Sequence, residues 1–252
     1  MKKWLALGAI FFTMYLVFLI ATLPASVALN AITLPKAVSI QGVSGTLWKT
    51  HIQQVDFVQR NKQTLTLQQV KASLSFWSVL TFNPAIDLEF GQPMLAGIQG
   101  KVTVSNLTAD VTFTDGEIFI AANALAHQLP LPLPVTAKGD IRLNLIQFTL
   151  GKPICQVAMG DIQWSKAGVI ALDESIKLGE LKADFGCDKG ALKLVVDPKN
   201  DLGLSFTARI KNNGKVSGNG FIKPGKAFPK SLSSVLPFLG NADSKGRYIL
   251  RL

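Results

Sequence analysis

Leu202-Gly203-Leu204-Ser205-Phe206-Thr207-Ala208-Arg209-Ile210 sets an apolar or small residue at every second position, with a polar or flexible one between. Successive side chains of a strand point to opposite faces, so this two-residue period reads as a β-strand with one buried face. The period returns at Ile141, Leu143 and Leu145; at Val70, Ala72, Leu74 and Phe76; and at Leu107, Ala109, Val111 and Phe113. It returns again at Leu181, Ala183 and Phe185; at Leu192, Leu194 and Val196; and at Tyr248, Leu250 and Leu252. Long amphipathic helical patterns are missing from the same region. The expectation is a mainly β domain, a curved and mostly antiparallel meandering sheet, open-barrel or sandwich-like.

The punctuation between the runs fits that reading. Asp115-Gly116 and Asn213-Gly214 suit two-residue hairpin turns, which need positive φ at both central positions; Lys189-Gly190 fits the same turn less well. Two runs change phase partway: Val102 and Val104 against Leu107, Ala109 and Val111, and Leu65 and Leu67 against Val70, Ala72 and Leu74. Bulges shift parity in this way and bend the sheet. Residues 75–82 (SFWSVLTF) end at Asn83-Pro84 and read as a short helix or bend, and residues 231–239 as a brief capped helix broken by Pro237. Leu129-Pro130-Leu131-Pro132-Leu133-Pro134 reads as a stiff polyproline link between two β halves.

Outward from the strands lies a different kind of segment. Met1-Lys2-Lys3 precedes a run, residues 4–23, without a single charge; the next charged residue is Lys36. A bilayer core of about 30 Å takes roughly 20 helical residues. Leu, Phe, Ile and Val occupy every side of this run, unlike a helix with one core-facing stripe. The reading is a membrane helix over 4–23 with residues 1–3 in the cytoplasm, because the flanking lysines precede it. Residues 24–252 then form an exported domain. The alternative is a cleaved signal peptide, with Ser26-Val27-Ala28 as its processing site, although the apolar run is long for one.

The chain carries a formal net charge of +10, and the distribution is uneven. Within residues 205–252 nine basic residues (Arg209, Lys211, Lys215, Lys223, Lys226, Lys230, Lys245, Arg247 and Arg251) face the single acid Asp243. Such asymmetry marks a partner surface for anionic headgroups or an acidic protein, or else a solvated face that aids solubility. Export argues against nucleic acid. The two cysteines, Cys155 and Cys187, both lie in the exported part, where an oxidising compartment favours pairing them. Two free thiols, or a metal site with other ligands, are the alternatives.

Catalytic patterns are weak. Gly42-Val43-Ser44-Gly45 is one residue short of a nucleophile elbow, and no helix pattern follows it. His51 and His127 stand alone, with no companions at metal-ligand spacing. Asp173-Glu174 and Asp184 are carboxylates without a converging partner. Trp48, Trp77 and Trp164 read as core-filling residues with satisfied N–H groups, rather than as an exposed binding surface. The expectation is a protein without enzymatic activity, cofactor or metal.

Leu34-Pro35-Lys36, then Val38-Ser39-Ile40-Gln41-Gly42-Val43-Ser44-Gly45-Thr46-Leu47-Trp48, resembles the start of the exported region in the protein N family of type II secretion systems. Leu236-Pro237-Phe238-Leu239-Gly240 and Gly246-Arg247-Tyr248 resemble that family's end. The order and spacing of these short motifs, with a single anchor and a pair of exported cysteines, carry the resemblance. It implies a non-enzymatic inner-membrane accessory component assisting export of folded periplasmic proteins, with other secretion subunits as partners. The family is also distantly similar to AsmA-like envelope proteins, whose curved sheets have an apolar inner surface; this implies a lipid-binding envelope module as the alternative. No catalytic residue is carried over. Read physically, Gly42 and Gly45 flank a turn or take positive φ, while Thr46, Leu47 and Trp48 restart a strand with Trp48 packed inward.

Overall fold

The computed structural model describes residues 2–30, 37–58, 64–91, 98–106, 110–126, 136–171, 174–211, 215–234 and 236–252. The chain divides into two compact units, residues 1–92 and 93–252. The proline-rich link at 129–134 and the Asn213-Gly214 turn lie outside the described residues, as do His127 and Asp173.

The first unit begins with helix α1 (Lys2–Ala21) and the short α2 (Ala25–Asn30). Strands β1 (Val38–Thr46), β2 (Lys49–Val58) and β3 (Thr64–Leu74) follow, then α3 (Phe76–Leu80) and β4 (Ile86–Phe90). The four strands pair antiparallel in chain order. Ile52, Val55 and Val70 form the core, against which Val38, Ile40, Val43, Leu67 and Phe90 pack.

The backbone of α1 is helical for 20 residues, but its described side chains are only Trp4 and residues 7–21, all exposed. Among the described residues no helix is long and apolar enough to cross a membrane.

The second unit contains β5 (Ile98–Ser105), β6 (Thr112–Ala121), α4 (Ala122–Ala126), β7 (Thr136–Leu150), β8 (Cys155–Ala171) and β9 (Glu174–Asp188). It continues with β10 (Ala191–Val196), β11 (Leu204–Ile210), β12 (Val216–Ile222), α5 (Lys230–Ser233), a 3₁₀ turn at Leu236–Leu239 and β13 (Tyr248–Arg251). From β5 to β13 consecutive strands pair antiparallel, and no pairing among the described residues closes the sheet. The meander is therefore open, and neither a closed barrel nor two facing sheets. One apolar cluster centres on Cys155, Ala158 and Phe185, and another on Ala167, Leu178 and Leu202, with Phe228 and Leu232 packed against the second.

The two-residue period is visible in the burial of β7, where exposed and half-buried residues alternate from Thr136 to Leu145. The pairing shifts at Ile146, an extra residue between the Leu145–Gly160 and Gln147–Met159 pairs, but the alternation runs on through it and its side chain is 59% exposed. The expected phase change in β3 occurs at Gln69, whose left-handed backbone (φ 52°) lets both Gln69 and Val70 tuck inward. That slip leaves the strand intact and re-aims the residues beyond it.

Several expectations need correcting. Asp115-Gly116 is no hairpin turn: both residues lie inside β6, where Asp115 (φ 50°) is the extra residue of a bulge opposite Val102. Lys189-Gly190, the less favoured candidate, is the turn between β9 and β10, with φ values of 51° and 80° and Asp188 paired to Ala191. Phe76 belongs to α3 rather than to β3. Leu202 precedes β11 instead of opening it. Thr46 ends β1, and Leu47-Trp48 makes the β1–β2 turn rather than restarting a strand. The helix near 231–239 is α5 followed by the 3₁₀ turn, and no side chain caps α5. Trp77 is not core: it is 72% exposed.

Candidate functional site

The signature around Trp48 is a clamp on the end of α1. Gly45, with φ 90°, takes a backbone that side-chain-bearing residues rarely adopt, and a Cβ there would run into the carbonyl oxygen of Lys49. Gly42 is likewise left-handed, at φ 68°. Those two residues let β1 curl into its turn. Beyond them Thr46 bridges to Pro24, the Leu47 amide donates to the Leu23 carbonyl at 2.9 Å, and the Trp48 indole N–H donates to the Ile20 carbonyl at 3.1 Å. A helix leaves its last four carbonyls without intrahelical partners. Trp48 satisfies one of them while its ring packs 5.5 Å from Phe76.

Cys155 and Cys187 are joined as a disulfide whose Cα atoms are 6.1 Å apart. Cys155 is 2% exposed and packs with Ala158 and Phe185, so the bond lies within the apolar cluster of the β8–β9–β10 region.

The carboxyl-terminal bases do not behave as one patch. Arg209 on β11 pairs with Asp188 of β9 at 2.8 Å, and its hydrogen bond holds the Asp188 carboxyl below the usual carboxylate range. Arg247 is held by Asp243: its Nη2 lies 2.7 Å from Oδ2, its Nε donates to the same oxygen, and its backbone amide donates to Oδ1. The Lys245 amide donates to Oδ1 as well. These donors, the Arg247 side chain first, pull the Asp243 carboxyl from 3.8 to about 2. Gly246, at φ 70°, closes this loop, and the Arg247 guanidinium lies 5.0 Å over the Phe221 ring. Gly246-Arg247-Tyr248 is thus a clasp that launches β13. Lys211, Lys215, Lys223, Lys226, Lys230, Lys245 and Arg251, the other bases of this stretch, are exposed. Ser205, Thr207, Asn219, Phe221, Arg247 and Arg251 line a shallow depression of about 360 Å³ beside β13.

The catalytic candidates stay apart. Ser44 sits across from His51, yet its hydroxyl donates at 3.4 Å to the His51 backbone carbonyl, which is no general base. Glu174 and Asp184 stand ten residues apart on β9, roughly 30 Å at strand rise, far beyond the separation a pair of carboxylates needs for joint chemistry. Among the described residues no cluster of three His, Cys, Asp or Glu side chains is placed to hold a metal ion. Trp164 donates to the Lys138 carbonyl at 2.9 Å, a structural role.

What the sequence reading missed is the exposed aromatic group at α3. The signal for it was present: no charged residue occurs between Lys71 and Asp87.

A clamp on the end of α1, a disulfide-stapled antiparallel meander and a terminal strand bearing Arg251 are structural features, and among the described candidates no nucleophile and base converge. Residues 36–251 match the family described as "Type II secretion system (T2SS), protein N", and the chain belongs to that family. It is 28% identical over 249 residues to "Type II secretion system protein N" of Vibrio cholerae, covering 98% of this chain and 97% of the relative. It is 28% identical over 259 residues to the protein of the same name from Aeromonas hydrophila, covering 100% and 98%. The relative from Pectobacterium carotovorum is 26% identical over 247 residues, covering 98% and 95%. No solved structure matches. The chain is accordingly a type II secretion component, in a family of structural and accessory proteins.

Proposed function

We propose that this chain is a non-enzymatic accessory subunit of the inner membrane that assists export of folded periplasmic proteins. In this reading α1 crosses the bilayer with the amino terminus in the cytoplasm, and the β units lie in the periplasm. Twenty helical residues at 1.5 Å each give about 30 Å, the thickness of a bilayer core. A disulfide suits an oxidising compartment.

The observation that carries the contact role is β13. It ends the strand order of its unit, and it bears Arg251 beside exposed Lys245. A terminal strand offers unpaired backbone groups to an incoming strand, and the nearby bases select an acidic one. Partners are other secretion subunits. Crosslinking from position 251 in intact membranes should recover such subunits, and charge reversal at Arg251 and Lys245 should reduce both the yield and secretion. Recovery of no secretion subunit, together with normal secretion in a deletion strain, would sink the proposal.

A second reading, lipid held against the sheet, is favoured by Leu143, Leu145, Ile162 and Leu194, apolar side chains that stay only half-buried. Native mass spectrometry of the detergent-free protein should then show bound lipid; a clean apo mass would end it.

A further inference from the structure

Beyond α1, the exposed large apolar residues of the first unit are densest at α3 and its exit. On and just beyond α3, Phe76 is 59% exposed, Trp77 72%, Leu80 59% and Phe82 95%. Phe82 also holds a left-handed backbone, φ 57°, with its amide donating to the Val79 carbonyl. For a bulky residue this conformation is strained, and here the strain delivers an aromatic ring outward instead of into a core. Such a segment, uncharged from residue 72 to 86, is poorly suited to water on both counts.

Its location says what it meets. Trp48, whose N–H holds the Ile20 carbonyl at the end of α1, packs on Phe76, and Phe76 packs edge-on against Trp77 at 6.1 Å. Val17, Ile20, Ala21, Trp48, Leu74 and Phe76 line one groove of about 490 Å³, with Lys49 and Ser73 at its wall. Apolar side chains of the helix end and of α3 therefore share one mostly apolar groove. We propose that residues 76–82 form a foot that dips into the outer leaflet of the same membrane, at the boundary between headgroups and acyl chains. This rests on the reading of α1 as the anchor. Aromatic rings with a polar edge settle at that depth, and short apolar segments bind it in the plane of the interface. A single helix leaves its cargo free to swivel; a second contact beside it fixes the tilt at which the first β unit stands on the membrane.

The full chain, reconstituted in vesicles of phosphatidylethanolamine and phosphatidylglycerol with no other protein, tests this. Because the native cysteines are paired, one new thiol carries a polarity-sensitive fluorophore, at Phe82→Cys or Trp77→Cys, with Lys199→Cys as an exposed control. The expected result is a blue-shifted emission at 77 and 82, quenched by lipids brominated on the acyl chain. Aqueous iodide should quench those sites several-fold less than position 199. Alkaline carbonate extraction reads the anchor independently. A chain that resists extraction while labels at 77 and 82 are as open to iodide as at 199 overturns the foot and leaves the anchor standing. Shielding that appears only after secretion subunits are added also overturns it, in favour of a protein partner. A chain released by carbonate overturns anchor and foot together.

Discussion

The two units share one construction, antiparallel strands paired in chain order, yet they differ in what holds them. The second unit gathers two apolar clusters and staples one of them with the Cys155–Cys187 bond, while Ile146, Phe238 and Leu252 stay exposed at separate places along it. The first has a smaller core around Ile52, Val55 and Val70, has no disulfide, and exposes five large side chains together on α3 and its exit. The difference teaches that stability is local in the second unit and borrowed in the first, where the end of α1 supplies hydrogen-bond partners for the β1–β2 turn. Perturbations of the staple and of the clamp should therefore act on different units.

The largest effect is expected from the staple. Replacing both cysteines, Cys155→Ser with Cys187→Ser, opens a loop of separation 32 and should cost about 3–4 kcal/mol by the chain-entropy relation. Denaturant unfolding read at Trp164, in a background where the other tryptophans are Phe, measures it. A loss below about 1 kcal/mol would break the contrast between a stapled and an unstapled unit.

The clamp comes next. Trp48→Ala removes a half-buried ring and a hydrogen bond, and should cost about 2 kcal/mol in the first unit. Trp48→Phe keeps most of the ring and should cost about 1 kcal/mol, the share of the hydrogen bond. Equal losses for both variants would mean that the indole N–H, and not the packing against Phe76, holds the turn.

A third pair of changes compares like with like. Gly45 at φ 90° in β1 and Gly139 at φ 93° in β7 both sit where a Cβ would meet a backbone carbonyl, of Lys49 and Ser165 respectively. Gly45→Ala and Gly139→Ala should each cost about 1–3 kcal/mol through backbone strain. Thermal unfolding that separates the two units should place one loss in each. A neutral Gly45→Ala would show that the β1 turn relaxes and is no rigid mount for Trp48.

The strands were legible because burial of one face imposes its period directly on the chain, as residues 136–145 show. Turns were less so. Asp115 takes a left-handed backbone without Gly116 and serves a bulge, whereas Lys189 and Gly190 both take it and make a hairpin. Local chemistry reports the φ value and is silent on whether the chain reverses; pairing partners many residues away decide that. Trp77 was misjudged for a related reason. A tryptophan's preference for the core is only an average, and the charge-free stretch 72–86 was the better guide to an exposed apolar segment. Part of the basic tail's pairing was legible and part was not. Asp243, the one acid of residues 205–252, holds Arg247 four residues away, whereas Arg209 pairs with Asp188 on another strand, outside that stretch.

The smallest effect lies in that last pair and is a matter of pH. The Asp243 carboxyl sits at about 2 in the folded chain, against an ordinary 3.8, chiefly because the Arg247 side chain hydrogen-bonds its charged form. A folded value below the unfolded one means that ionised Asp243 favours the clasp. The contribution is complete above 3.8 and fades as the pH falls from 3.8 through about 2. The pair is solvent-facing, so global stability should scarcely move. The local readout is NMR: the Asp243 side chain should titrate near 2, and Arg247→Ala should bring it back toward 3.8. If the midpoint stays low in that variant, the backbone amides of Lys245 and Arg247 hold the carboxylate by themselves. Arg247 would then contribute little to holding Asp243, and its charge would be available to an acidic partner.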